Sequence, residues 1–305
     1  MVFTRIVLVT KRTPYEELLA TYGTHGQAAF LLTSRGQDIS SFRVQHDQYC
    51  KAVQTVEGSL PKDVSHTLVE RRNIPLFLFR GGDLIVAIGP DGLFANLAKY
   101  LSGQPVVAVN PLPGVIDGVV MRHRPMNLAD VIKRTLADDV TLDEVALAEA
   151  KTDEGESILA VNDFLVGRLD HISARYHLSC GYGEEHQSSS GVLISTGMGS
   201  SGWLRSIKAA VNAANEEGEI LIPEDPTWDE ERLVFVVREP FPSRATGTEV
   251  VFGDILPDEP LEIISEMPEG GVVFSDGVPE DSLALPAGIK LTIGIAEKKA
   301  ILVRP

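Results

Sequence analysis

The chain has 305 residues, a formal net charge of −16, 44% hydrophobic residues and 23% charged residues, an ordinary globular composition of a length that suits two domains. Residues 1–125 carry 13 Lys+Arg against 10 Asp+Glu, whereas residues 126–305 carry 14 against 33. So acidic a second half excludes a nucleic-acid duplex as partner, and no apolar run reaches the roughly 18 residues of a membrane span.

The segment Met1–Val9 is short, apolar and strand-like, without the basic start of a signal peptide. Ile6–Val9 reads as a buried strand. Pro14–Tyr22 reads as a helix with Thr13 as N-cap and Pro14 at its first position. Tyr49, Ala52, Val53, Val56 and Leu60 recur at helical spacing. Cys50 and Cys180 are too few and too far apart for a disulfide framework, and reduced thiols in a cytoplasmic protein are expected. Leu84–Ile88 is a fully apolar strand, Gly92–Leu101 a helix and Pro105–Val109 another buried strand. Short apolar strands alternating with helices imply an α/β layer with a mostly parallel, doubly wound sheet.

Asn127–Leu136 is helical by pattern and leads out of this first domain, which is expected to span 1–137. Residues 138–305 then read as a β-rich, sandwich-like domain. Its strand candidates are Val161–Val166, Ile172–Leu178, Gly191–Ser195, Leu233–Val237, Glu249–Phe252, Leu261–Ile264, Gly271–Phe274, Lys290–Ile295 and Ala300–Val303. One strong helix, Leu204–Glu217, interrupts them.

Three strings carry candidate chemistry. Gly89-Pro90-Asp91-Gly92 lies between a strand and a helix, where backbone N–H groups and a positive dipole end can meet a phosphate. Gly89 and Gly92 let a ligand approach the backbone. Asp91 either caps the helix or serves as a general base or a group acting through a metal ion. Gly81-Gly82-Asp83 stands at the wrong end of the same strand and reads as an entering turn. Thr196-Gly197-Met198-Gly199-Ser200-Ser201-Gly202-Trp203 is a second strand-to-helix connection, either a plain flexible loop or a nucleotide cradle with Trp203 as a stacking ring. Asn162-Asp163 places two polar residues in an otherwise apolar strand pattern, as a turn or edge or as partners for ribose hydroxyls.

In their order and separation these strings resemble the NAD kinase family, closest to its mitochondrial type and bacterial relatives. Lys11-Arg12-Thr13-Pro14-Tyr15-Glu16, Ser173-Ala174-Arg175-Tyr176-His177, Ser189-Ser190-Gly191, Arg238-Glu239-Pro240, Asp276-Gly277 and the Asn110, Pro113, Gly118 turn extend the likeness over nearly the whole chain. The resemblance implies an N-terminal α/β domain and a C-terminal β-rich domain, with the site between them. It implies phosphoryl transfer from ATP, with Mg²⁺, to the 2′-hydroxyl of NAD's adenosine ribose, giving NADP. In that reading Asp91 is catalytic and Gly89 and Gly92 form the phosphate turn. Asn162, Asp163, Thr196, Ser201, Gly202 and Trp203 contact NAD, and no protein metal site is called for. Family members form homodimers or larger homo-oligomers. The chain departs from the family pattern at Pro90 and Leu93, where a glycine and a threonine are usual, and at Asp163, where glutamate is usual. These departures raise two competing readings: a kinase of the same fold acting on a lipid or sugar hydroxyl, and a non-catalytic nucleotide sensor.

Overall fold

The computed structural model describes residues 3–116, 118–214 and 222–305. The chain forms two compact units, Met1–Asp143 with Ile301–Pro305, and Glu144–Ala300.

The first unit is α/β. In chain order it holds β1 (Arg5–Thr10), α1 (Pro14–Tyr22), α2 (His25–Ser34), α3 (Ile39–Gly58), β2 (Ser65–Glu70), β3 (Asp83–Ile88), α4 (Asp91–Ala98), β4 (Pro105–Val109) and α5 (Leu128–Leu136). These four strands are parallel, in the order β2-β1-β3-β4. Ile6, Leu8, Leu84, Val86, Ile88, Val107 and Val109 present one face to Tyr49, Ala52 and Val56 of α3 and to Leu128 and Ile132 of α5. Thr13 caps α1 in a full capping box with Glu16, and Pro14 occupies the first turn. α2 and β2 escape a reading based on apolar period. β2, Ser-His-Thr-Leu-Val-Glu, is an edge strand with one fully buried residue, Val69, so its sequence carries little core signal.

The second unit is β-rich. It contains most of β5 (Leu142–Thr152), then β6 (Ser157–Ala160), β7 (Asp163–Arg168), β8 (Ala174–Cys180), β9 (Gly183–Ser189), β10 (Val192–Ser195), α6 (Trp203–Ala214), β11 (Leu233–Val237), β12 (Phe252–Ile255), β13 (Leu261–Ser265), β14 (Gly271–Ser275), β15 (Val278–Ala284) and most of β16 (Lys290–Val303). One sheet is antiparallel, in the order β12-β11-β10-β7-β14-β15. A second runs β16-β13-β8-β9, with β5 beside β16 and β6 beside β5. Phe164, Val166, Ile194, Phe235 and Val273 of the first meet Tyr176, Leu178, Ile263, Leu291 and Ile293 of the second in one apolar core. The outer face of the six-stranded sheet is covered by α6 through Leu204, against Leu193, Val234 and Val236. The expected continuation of α6 through 215–217 lies outside the described residues.

Three expectations are corrected. The strand expected over Glu249–Phe252 lies instead at Phe252–Ile255, as β12. The segment expected as one strand over Val161–Val166 is broken by a bend at Val161 and Asn162, with β7 starting at Asp163. The pieces Lys290–Ile295 and Ala300–Val303 are a single 14-residue strand, β16, whose last residues return to the first unit and pair in parallel with β4.

The entry to β3 is fixed by charge. Asp83 is fully buried, receives Nε and Nη2 of Arg5 at 2.8 and 2.6 Å, and accepts the Arg80 amide at 2.7 Å. Gly81-Gly82 is therefore a turn whose following carboxylate serves the fold. Removing the cation would strand a buried charge. Arg5→Met is expected to cost about 3–5 kcal/mol and Thr13→Ala about 1 kcal/mol. Urea unfolding of the two variants measures both, and equal losses would contradict the ranking.

Candidate functional site

The strand order of the first unit reverses between β1 and β3, and open α/β sheets bind ligands beyond the strand ends at such a point. The carboxyl ends of β1 and β3 are tied here by the Tyr49 hydroxyl, which donates to the Ile88 carbonyl at 3.1 Å and accepts from the Lys11 amide at 3.2 Å. The turn Gly89-Pro90 follows β3, and α4 starts at Asp91. Few turn donors remain for a ligand. The Gly89 amide is spent on the Val109 carbonyl and the Leu93 amide on the Pro90 carbonyl, while proline has no N–H. That leaves the amides of Asp91 and Gly92 at the helix end.

Asp91 is the first helical residue, and Pro90 is the N-cap. Its carboxylate turns away from its own helix. Oδ2 accepts from the Val119 amide at 3.0 Å, and Oδ1 from Val120 and Met121 at 3.2 and 3.0 Å. A carboxylate has about four acceptor positions, so Oδ2 retains one. Asn110 secures the same loop, donating to the Ile116 carbonyl at 2.8 Å and accepting from the Leu112 amide at 2.9 Å. Gly118 is needed there, because a Cβ would press on the Met121 carbonyl and the Asn110 amide.

Basic groups sit at the ends of the neighbouring strands, with Lys11 just past β1 and Arg71 just past β2. Burial, and then the Arg71 guanidinium, hold Lys11 below the ordinary lysine value. The sequence reading gave neither a role. Lys11 lay in a quoted string, but Arg71 follows the unread strand β2.

The second unit holds the other predicted residues. β14 and β15 are joined by Asp276-Gly277, with φ of 53° and 64°, as a tight hairpin turn requires of both central residues. The Asp276 carboxylate accepts from the amides of Val161, Asn162 and Asp163, the shortest being 2.7 Å to Asn162. It thereby fixes the bend carrying Asn162 and Asp163. Burial, and then the Asp276 carboxylate, push the Asp163 carboxyl up to about 7.

Thr196 is fully buried. Its hydroxyl donates to the Val161 carbonyl at 2.6 Å and accepts from the Gly199 amide at 3.1 Å, so it clamps the glycine loop to the Asn162 bend. The glycines serve the same contact. A Cβ on Gly197 would overlap the Thr227 carbonyl oxygen, and one on Gly199 the Asn162 carbonyl oxygen. Ser201 and Gly202 are exposed at the loop's end. Trp203 opens α6, with the Arg238 guanidinium 5.1 Å from its ring centroid. A pocket of about 190 Å³ is lined by Asp163, Leu165, Trp203, Phe274, Gly277 and Pro279. It pairs one carboxylate with apolar and aromatic walls, the make-up of a site for a flat ring with a polar edge.

The folded carboxyl of Asp163 ionises less readily than the unfolded one, so the folded state binds more protons between pH 4 and 7. Stability therefore falls as pH rises through that window and is level above it. Asp163→Asn is expected to remove this slope and to stabilise the protein above pH 7 by on the order of 2 kcal/mol, less than the full shift because the group keeps partial contact with solvent. Urea unfolding at pH 4.5 and 7.5 checks it, and parallel behaviour of wild type and variant would contradict it.

No family model matches the chain. It is 29% identical over 223 residues to the NAD kinase of Natronomonas pharaonis, which covers 69% of this chain and 73% of that protein. Two solved structures share its fold. An NAD kinase from Archaeoglobus fulgidus in complex with ATP aligns with a TM-score of 0.57 and 17% identity, over 98% of this chain and 93% of that one. Yeast NADH kinase complexed with NADH aligns with a TM-score of 0.60 and 13% identity, over 99% and 83%. In sequence and in fold, the chain is a relative of the NAD kinases.

Proposed function

We propose that the protein transfers the γ-phosphoryl group of ATP to the 2′-hydroxyl of the adenosine ribose of NAD, giving NADP and ADP. Asp91 carries this reading: a carboxylate with one acceptor position open, at the carboxyl ends of parallel strands where the sheet order reverses. The ribose hydroxyl gives its proton to Asp91 as its oxygen bonds to the γ-phosphorus, and the bond from that phosphorus to the β-phosphate bridge breaks. Three backbone amides fix the carboxylate in place, which makes Asp91 a positioned acceptor. Positioning and charge neutralisation then supply most of the rate. The amides of Asp91 and Gly92, with Lys11 and Arg71, meet the phosphates.

Mg²⁺ fits this arrangement as an ion carried on the nucleotide. Such an ion takes one or two carboxylates besides phosphate oxygens. Among the described residues no group of three or more His, Cys, Asp or Glu offers a cage, so Asp91 is the carboxylate that would face it. When bound, it neutralises charge on the transferring group.

In the second unit Asn162 and Asp163 take polar edges of NAD, Trp203 stacks on a ring, and Ser201 and Gly202 line its rim. Thr196 acts through the loop it clamps. A lipid or sugar acceptor is not favoured, since the relatives in sequence and fold are NAD or NADH kinases. Among the described residues no helix is long and apolar enough to cross a membrane. The same reading has the protein in the cytoplasm as a homodimer, and a light-scattering mass of one 33.0 kDa chain would overturn the dimer.

Incubation with NAD, ATP and Mg²⁺ is expected to yield NADP, and Asp91→Asn to lower turnover about 10²–10⁴-fold. NAD binding with no NADP formed would make the protein a sensor and sink the catalytic reading. Trp203→Ala is expected to weaken NAD binding by about 1–3 kcal/mol, the worth of stacking a base on an aromatic ring. Calorimetric titration with NAD measures it, and unchanged affinity would remove Trp203 from the site.

A further inference from the structure

The first unit holds another cavity, of about 610 Å³, to which Gly89, Asp91 and Gly92 do not contribute. Its lining includes Arg122, His123 and Arg124 from the segment after the Asp91-bound loop, and Asn127, Asp130 and Arg134 from one side of α5 and its lead-in turn. Three arginines and one aspartate thus line the cavity, together with Pro305. His123 adds no charge: burial holds its pKa below the ordinary histidine value, and Nε2 donates to the Val303 carbonyl at 2.9 Å.

Arg124 and Arg134 are weakly compensated. Arg122 reaches Asp143 at 3.4 Å and the Val119 carbonyl at 2.9 Å, and Arg134 reaches Asp139 at 3.4 Å. The Arg134 pair is long and solvent-exposed, a kind that contributes little. Among the described residues the Arg124 guanidinium makes no hydrogen bond or ion pair. In a chain of net charge −16, arginines gathered around one cavity stand against the overall field. Arginine's planar fork grips phosphate oxygens two at a time. Forks on two elements, Arg124 and Arg134, match more than one anionic group, and the volume lies within the range of small-molecule sites.

We propose that this cavity binds a small molecule carrying two or more phosphate groups. The probe is inorganic tripolyphosphate, followed by backbone-amide NMR of the full chain. Shifts are expected at Arg122–Arg124 and at residues 129–134, separate from any at the Gly89 turn. In Arg124→Gln/Arg134→Gln the first set should weaken at least tenfold in apparent affinity while the second persists, and the variant's spectrum reports its fold. Shifts confined to the Gly89 turn, or a cavity set unchanged in the variant, would overturn the proposal. Citrate is the control: if it perturbs the cavity amides and tripolyphosphate does not, the site is not one for phosphates.

Discussion

The candidate residues of each unit depend on one kind of interaction, a carboxylate that gathers three consecutive backbone amides. In the first unit Asp91 holds Val119, Val120 and Met121. In the second Asp276 holds Val161, Asn162 and Asp163. Each aspartate precedes a glycine, and each gathers a segment outside the helices, Asp163 being the first residue of β7. Hydrogen bonds to a charged group are stronger than neutral ones, so a single side chain suffices to set the path of several residues. Without Asp276 the bend presenting Asn162 and Asp163 would be left to Thr196, whose hydroxyl and amide bond the Val161 and Asn162 carbonyls. Without Asp91 the loop after β4 would rely on Asn110.

The arrangement explains the unusual electrostatics of the second unit. The Asp276 charge is spent on amides, yet it still repels Asp163, which burial already disfavours as an anion. Asp163 can therefore act near neutral pH as either donor or acceptor toward a ligand, whereas a fully ionised carboxylate can only accept. Its side chain shares a pocket with Trp203, whose ring is backed by Arg238.

Much of this was legible in the sequence, for identifiable reasons. β3, β4 and β11 are continuous apolar runs, buried throughout, and their residues announce them. Thr13-Pro14 followed by Glu16 states the start of α1 chemically. The strand-turn-helix context of Asp91 and of the Thr196–Trp203 loop followed from the same patterns. The partners of those residues were not legible. That Asp91 faces 119–121, or that Asp276 faces 161–163 from over a hundred residues away, depends on chain reversals that no local period encodes. β2 and β9 were missed because their exposed, polar alternation resembles loop composition. Val161–Val166 was read as one strand with Asn162-Asp163 as a turn or edge or as ligand partners, and that same distant aspartate holds the bend found there.

The glycines of the Thr196–Trp203 loop carry a wider implication. Gly197 and Gly199 are small because main-chain carbonyls of Thr227 and Asn162 press against them, so the chain's own packing already forbids a side chain there. Selection for a correctly closed loop would preserve those two positions even in a descendant that had lost its ligand. A glycine-rich signature of this kind testifies to architecture, and inheritance of the string alone is a poor witness to turnover.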